Sequence, residues 1–269
     1  MVAWFSFPDA GGGAQGSSGG SGSLADGAQG SSRSSGALMR PPECGLTLRS
    51  AGPMKPVRDS QNRARVFESL GIAPESVYSP KQVHSRDVIA IDLPDLADEI
   101  PECDGVLTVN PDLVPCVSVA DCMPVWLYDP ESGCFGVLHS GWRGTGIVRQ
   151  AIELAACEWN ADVTDFRVIL GPHIRSCCYT VDEERAVYFS KEFGPSCVAL
   201  DPALQEAGFS WPYRLSLAEA NRILCALLGI PAEHICDTGL CTACDERFGS
   251  NRREGADSFT HMAAFIRRL

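Results

Sequence analysis

The chain has 269 residues, 45% of them hydrophobic and 21% charged, with a net charge of −12; this is the balance of a soluble globular protein of one large or two small domains. Its acidity argues against a nucleic-acid surface, no apolar run is long enough to span a bilayer, and the start lacks the basic segment of an export signal. Thirteen cysteines without such a signal are expected to be reduced, several of them buried as small apolar groups, which places the protein in the cytoplasm.

The opening "VAWFSF" (2–7) is apolar and aromatic and reads as a first strand, with "CGLTLR" (44–49) as its returning partner. Between them, residues 11–37 are low-complexity Gly, Ser, Ala and Gln, with "GAQGSS" at 13–18 and again at 27–32. Such a segment has little to bury and is expected to form a disordered loop insertion. "SQNRARVFESLG" (60–71) reads as a helix capped by Asp59 or Ser60 and closed by Gly71. Strands follow at "VIAIDL" (88–93), "DGVLTV" (104–109), "PCVSVA" (115–120), "PVWLYD" (124–129) and "CFGVLHS" (134–140).

After the glycine-rich "GWRGTG" (141–146), Val148, Ile152, Ala155 and Trp159 share one helical face. "DFRVILG" (165–171) reads as a strand and "DEERAVYFSKEF" (182–193) as a helix. "SLAEANRILCALLG" (216–229) is a helix with a Ser216–Glu219 capping box and Gly229 at its end. "DSFTHMAAFIRRL" (257–269) closes the chain as a strand. Two helices end alike, in "LGIAPESV" (70–77) and "LGIPAEHI" (228–235), each ahead of an expected strand, as an internal duplication would leave them. The class is α+β, one domain over 1–269 with 11–37 inserted.

Five histidines are few enough to weigh singly. His139 ends a strand at the glycine-rich turn, His84 precedes a strand in "KQVHSRDV", and Cys122 lies between two strands in "ADCMPV". A histidine at a strand end is ordinarily a surface residue, and a lone cysteine ordinarily packs in a core. Together, two imidazoles and a thiolate suit a zinc-type site with an open fourth position, although gaps of 38 and 17 positions do not establish it. The turn after His139, with Arg143 and the amides near Thr145, reads either as an anion clamp or as a helix cap with Arg143 in an ion pair. Nothing nearby raises His173, His234 or His261. "CTAC" (241–244), with Cys236 nearby, lacks a second Cys-x-x-Cys pair, and "CC" (177–178) reads as core packing. The His-x-Glu signature of nucleobase deaminases is absent.

In order, "KQVHSRDV", "CDGVLT", "VADCMPVWLYD", "VLHSGWRGTG", "GPHIRSCCYTV" and "CTACDERFGSNRRE" resemble the laccase-domain family, also called YfiH-like or polyphenol oxidoreductase-type. The likeness runs from about residue 60 to the C-terminus and takes in "WFSF" and "CGLTLR". It implies purine nucleoside phosphorylase activity on adenosine, inosine and methylthioadenosine, together with adenosine deamination. It also implies a layered α/β/β/α sandwich similar to the catalytic domain of cytotoxic necrotizing factor. By position, the family's metal ligands fall on His84, Cys122 and His139, for zinc with copper as the other candidate. For phosphorolysis, Arg143 and one of Arg252 or Arg253 are candidate phosphate cations, and Asp104 is a candidate acid/base or purine-edge contact.

Three departures bear on substrate contacts more than on the metal ligands. "FGSNRR" (248–253) stands for the family's Phe-Phe-Ser-Tyr-Arg-Arg, Phe259-Thr260-His261 for its Thr-Gly-Arg, and Phe7-Pro8-Asp9 with the insert for a basic segment. Multicopper oxidase chemistry is excluded, because there are only five histidines and no His-x-His pair. A mononuclear copper site with Met123 as axial ligand conflicts with the opposite directions of adjacent side chains in extended chain. The alternatives are a metal-free cysteine hydrolase with Cys122 as nucleophile and His139 as base, a mononuclear-copper polyphenol oxidoreductase, and a non-catalytic metal-binding protein. The expected partners are purine nucleosides and phosphate, with no nucleic acid or membrane; the oligomeric state is open.

Overall fold

The computed structural model describes residues 1–8, 40–92 and 100–269; the expected disordered loop over 11–37 lies outside them. Strands β1 (Val2–Phe5) and β2 (Glu43–Thr47) pair antiparallel, Phe5 opposite Cys44. Helix α1 (Ser60–Ser69) and the short β3 (Val77–Tyr78) follow. The middle of the chain supplies β4 (Val88–Ala90), β5 (Gly105–Thr108), β6 (Val114–Val119), β7 (Met123–Tyr128) and β8 (Phe135–Ser140). Next come α2 (Ile147–Trp159), β9 (Arg167–Leu170), β10 (Thr180–Val181), α3 (Glu183–Phe193) and β11 (Val198–Leu200). The last stretch holds α4 (Pro202–Glu206), β12 (Tyr213–Leu215), α5 (Leu217–Leu228), β13 (Ile235–Asp237), α6 (Asn251–Glu254) and β14 (Met262–Arg267).

Among the described residues the strands make a mixed α+β fold with three sheets, in the orders β1-β2-β14-β6-β3, β13-β9-β7-β8-β5-β4 and β10-β12-β11. Three apolar cores separate the elements. Leu46, Val117, Met262 and Ala264 of the first sheet meet Trp126, Phe135, Val137 and Ile169 of the second in one core. The Trp126 indole N–H donates to the Phe265 carbonyl at 3.0 Å, joining β7 to β14 across that seam. In a second core, Val66 and Phe67 of α1 pack on Cys116 and Phe265. In the third, Ile152 of α2, Phe189 of α3 and Leu224 of α5 pack with Val125, Leu138 and Val168. Alternation along β7 accounts for both allegiances: Val125 and Leu127 point to the helices, Trp126 and Tyr128 to the other sheet. A strand buried on both faces reads as an unbroken apolar run, as "PVWLYD" does. Truncating Trp126 in such a core costs about 3–5 kcal/mol.

Helix ends follow local chemistry with three differences from expectation. Asp59 precedes α1 but makes no cap bond, its Oδ2 accepting from the Lys55 amide at 2.9 Å. Ser216 Oγ accepts from the Glu219 amide at 3.2 Å, but the Glu219 carboxylate takes the Ser196 hydroxyl at 3.1 Å instead of closing the box. The Ser216 amide is already used by the Cys197 carbonyl at 2.8 Å. Helix α2 has no side-chain cap; it begins at Gly146 with φ +108, and Thr145 Oγ1 donates to the Gly141 carbonyl at 2.8 Å. The two "LGI" segments are alike in space. Each helix closes at a left-handed glycine, Gly71 or Gly229, a single 3-10 turn follows, and an edge strand then runs parallel to its neighbour, β3 on β6 and β13 on β9. Among the described residues, no helix is long and apolar enough to cross a membrane.

Candidate metal centre and its pocket

The chain leaves the first sheet at Val119 and enters the second at Met123, and the crossing carries Asp121 and Cys122. Asp121 sits at φ +79, a left-handed backbone uncommon outside glycine. Its carboxylate accepts from Thr242 Oγ1 at 2.6 Å and from the Arg252 amide at 2.7 Å, so two later segments hold the crossing in place. His139 lies on β8 opposite Pro124, and His84 stands on the loop before β4, also left-handed at φ +62. These elements bring together ligand atoms of His84, Cys122 and His139 within 4.8 Å of one another, with the two imidazoles edge-on at 4.9 Å between centroids. His139 is buried at 3% exposure, Cys122 half-buried and His84 exposed. A Cβ on Gly141 would lie 2.9 Å from Cys122 Sγ, so the glycine after the strand makes room for the thiol.

Asp104 connects two of these residues. Its Oδ1 accepts from His139 Nδ1 at 2.7 Å, and its Oδ2 accepts from the Val83 and Ser85 amides at 3.1 and 2.7 Å, on either side of His84. The Ser85 hydroxyl adds a third bond to Oδ2 at 3.0 Å. Asp104 is fully buried with both oxygens engaged and is not among the residues lining the pocket. It is the carboxylate that fixes an imidazole's tautomer, leaving His139 Nε2 free to meet Cys122.

Burial works to raise the Cys122 thiol, but the neighbouring His139 and His84 imidazoles override it and bring it to about 6. Burial likewise opposes charge on His139, yet the Cys122 thiolate, ahead of the Asp104 hydrogen bond, pushes it up to about 9. A thiolate and two imidazoles, one of them oriented by a buried carboxylate, are a donor set that fits a borderline-soft divalent ion. Met123 is fully buried in the core shared with the helices, away from this cluster as its alternation requires.

A cavity of about 370 Å³ opens over the cluster, walled by Trp142, Tyr179 and Phe259 and carrying Lys55 and Arg252 as cations. The expected arginines divide. Arg252 lines the pocket, its guanidinium bonded to the Cys178 carbonyl at 2.9 Å and Thr180 Oγ1 at 3.0 Å. Arg253 does not; it donates to the carbonyls of Thr242, Ala243, Asp245 and Phe248 and to Glu254. Arg143 is exposed and outside the lining, with its guanidinium 4.6 Å from the Trp142 ring. That approach is a cation–π contact.

The departures at 249–251 and 259–261 meet in space. Asn251 lines the pocket where the family pattern has Tyr, and Phe259 brings an aromatic ring to the same wall. The Thr260 carbonyl packs so closely on Gly249 that a Cβ there would collide with it. Lys55 and Tyr179 were not legible as site residues beforehand, whereas Phe259 stood out as part of a departure from the family pattern. Gln82 was within reach, two places before His84; its amide exchanges bonds of 2.7 and 3.0 Å with the Ser118 backbone. The core-packing reading of the adjacent cysteines divides: Cys178 is half-buried against the helix-side core, whereas Cys177 is exposed, and both lie beside Cys241 and Cys244.

The chain matches the family model described as multi-copper polyphenol oxidoreductase laccase over residues 42–268. It is 32% identical over 216 residues, 77% of each chain, to the purine nucleoside phosphorylase YlmD of Geobacillus stearothermophilus. It is also 32% identical over 207 residues, 73% of this chain and 77% of the relative, to adenosine deaminase RL5 from an unknown prokaryotic organism. Among solved structures it is similar to the hypothetical protein YfiH of Bacillus licheniformis, with a TM-score of 0.76 and 27% identity, covering 85% of this chain and 93% of that one.

Proposed function

The chain belongs to the multi-copper polyphenol oxidoreductase laccase family, and from that premise we propose that it is a metal-dependent purine nucleoside enzyme, cleaving adenosine, inosine and methylthioadenosine by phosphorolysis and deaminating adenosine. The observation that carries this reading is the His84–Cys122–His139 cluster at the floor of an aromatic-walled cavity. Relatives named for both activities support it. The same reading takes the helix, sheet, sheet and helix order of the three cores as the α/β/β/α layering of the cytotoxic necrotizing factor catalytic domain, in a single domain of a cytoplasmic protein.

His84, Cys122 and His139 would hold the zinc, which when bound would supply Lewis acidity and lower the pKa of a water at the open position. Asp104 keeps His139 in one tautomer and anchors the loop carrying His84. Trp142, Tyr179 and Phe259 give a purine base apolar surface to rest on. Lys55 and Arg252 supply positive charge for phosphate, with Arg252 positioned by the Cys178 and Thr180 bonds. The test is incubation of the purified chain with adenosine, with and without phosphate, followed by identification of products. Adenine and ribose 1-phosphate appearing only with phosphate, and inosine in both, is the expected outcome; no turnover of any nucleoside by zinc-loaded protein overturns the reading.

One observation favours a second reading. Cys122, His139 and Asp104 also line up as thiol, imidazole and buried carboxylate, the order of a cysteine hydrolase. Metal content separates the two, because a hydrolase of that kind is active as metal-free protein.

A further inference from the structure

We propose that Cys177, Cys178, Cys241 and Cys244 hold a second metal ion, a zinc bound by four thiolates, which fastens the turn between β9 and β10, whose Ile174 and Tyr179 line the pocket, to the segment that leads into α6. The four sulfurs lie within 4.8 Å of one another, with Cys178 and Cys177 at 3.3 and 3.6 Å from Cys244. Zinc–thiolate bonds of about 2.3 Å in a tetrahedron place sulfurs about 3.8 Å apart, so the cluster is already near the size the ion requires. One pair comes from the turn between β9 and β10, the other from the Cys-x-x-Cys segment after β13. Their separation of 66 positions makes this a cross-link between distant stretches of chain.

The surroundings are those of a thiolate site. The Arg175 amide donates to Cys241 Sγ at 3.5 Å, and the amides of Ala243 and Cys244 face the same sulfur. A zinc with four thiolates carries excess negative charge, and three arginines stand around it. Arg214 donates to the carbonyls of Ser176 and Cys177 at 3.2 and 2.7 Å, Arg252 to that of Cys178 at 2.9 Å, and Arg175 is held beside them by Asp237 at 2.7 Å. Binding releases the thiol protons to solvent and leaves every sulfur at its original oxidation state.

This site shares no residue with the first, but two short paths join them. Thr242, next to Cys241, donates to Asp121, which precedes Cys122; Arg252 joins the Cys178 carbonyl to the pocket wall. The second ion therefore sets the position of the crossing that carries Cys122.

The test needs no nucleoside, so it fails or succeeds apart from the enzymatic reading. The full chain, purified under reducing conditions with zinc present, is weighed by native mass spectrometry. Two zinc ions are expected per wild-type chain, one in Cys178→Ser/Cys244→Ser, and one in Cys122→Ala, where the cluster keeps its ion. Alkylation of the wild-type chain gives a readout free of variants. Cys177 and Cys244 are exposed, as is Cys157, yet bound to zinc they should react on the order of tenfold more slowly than Cys157. Their modification at the rate of Cys157, or protection that disappears on reduction with no metal released, overturns the proposal. So does a double variant that keeps both ions.

Discussion

Asp104 accepts from His139 with one oxygen and from the amides around His84 with the other, so a single carboxylate sets two imidazoles. Asp104→Asn preserves shape but cannot supply two acceptors, and a misplaced amide donor would face either the ring or the loop. Metal affinity is expected to fall about 10–100-fold, read by zinc competition titration; unchanged affinity would show that His139 is oriented by something else. Two neighbouring families of arginine contacts invite the opposite comparison. Arg143 is exposed, with its guanidinium 4.6 Å from the Trp142 ring, so Arg143→Lys should change unfolding free energy by less than about 0.5 kcal/mol. Arg253→Lys replaces a planar fork serving four carbonyls and Glu254 with a single ammonium, and should lose about 3 kcal/mol in urea denaturation. Equal effects at the two positions would contradict this division of roles.

Among the elements, α6 is too short to stand alone and depends on the side chain that ends it. Glu254 accepts from the Ser250 amide at 2.9 Å, Arg253 Nη2 at 2.9 Å, and the Thr260 amide and hydroxyl at 2.9 and 3.1 Å. Burial opposes its charge, but those bonds hold its pKa below the ordinary glutamate value of 4.5. Between the two values the unfolded chain binds the proton more readily than the folded one. The Glu254 contribution is therefore fully present above the ordinary value and is lost as pH falls through the lowered one. Melting temperature should drop more steeply with acidification in wild type than in Glu254→Gln, and parallel pH profiles would count against it.

Length decides which elements could be read beforehand. Strands β6, β7 and β8, six residues each and buried on both faces, show as apolar runs. Strands β10, β11 and β12, of two or three residues, have no period to show. At the site, His84, Cys122 and His139 each read as ordinary alone; the family resemblance singled them out together, and the fold brings them within 4.8 Å of one another. The engaged state of Asp104, the hub at Arg253 and the meeting of the cysteines depend on contacts between distant segments, which no local pattern carries.

At the scale of the whole molecule, β1 and β2 pair as a hairpin whose register already brings Phe5 opposite Cys44. Replacing residues 11–37 with a short turn should leave melting temperature nearly unchanged, since loop length alters closure by roughly 0.6 kcal/mol per doubling. A large drop would show that the segment packs.

The crossing at Asp121–Cys122 has a consequence for the breathing of the two sheets. An ion on Cys122 and His139 joins the start of β7 to the end of β8 beside the seam, and the Trp126 indole proton is sealed within that seam by Phe265. Swapping this proton for solvent deuterium requires the sheets to part, so one indole resonance clocks that opening. If the open form releases the ion, a hundredfold excess of zinc over its dissociation constant adds about 2.7 kcal/mol to the opening. The indole signal of Trp126 should then persist about a hundredfold longer in deuterated buffer than in chelator-treated protein. Equal lifetimes would mean that the sheets separate with the ion still in place.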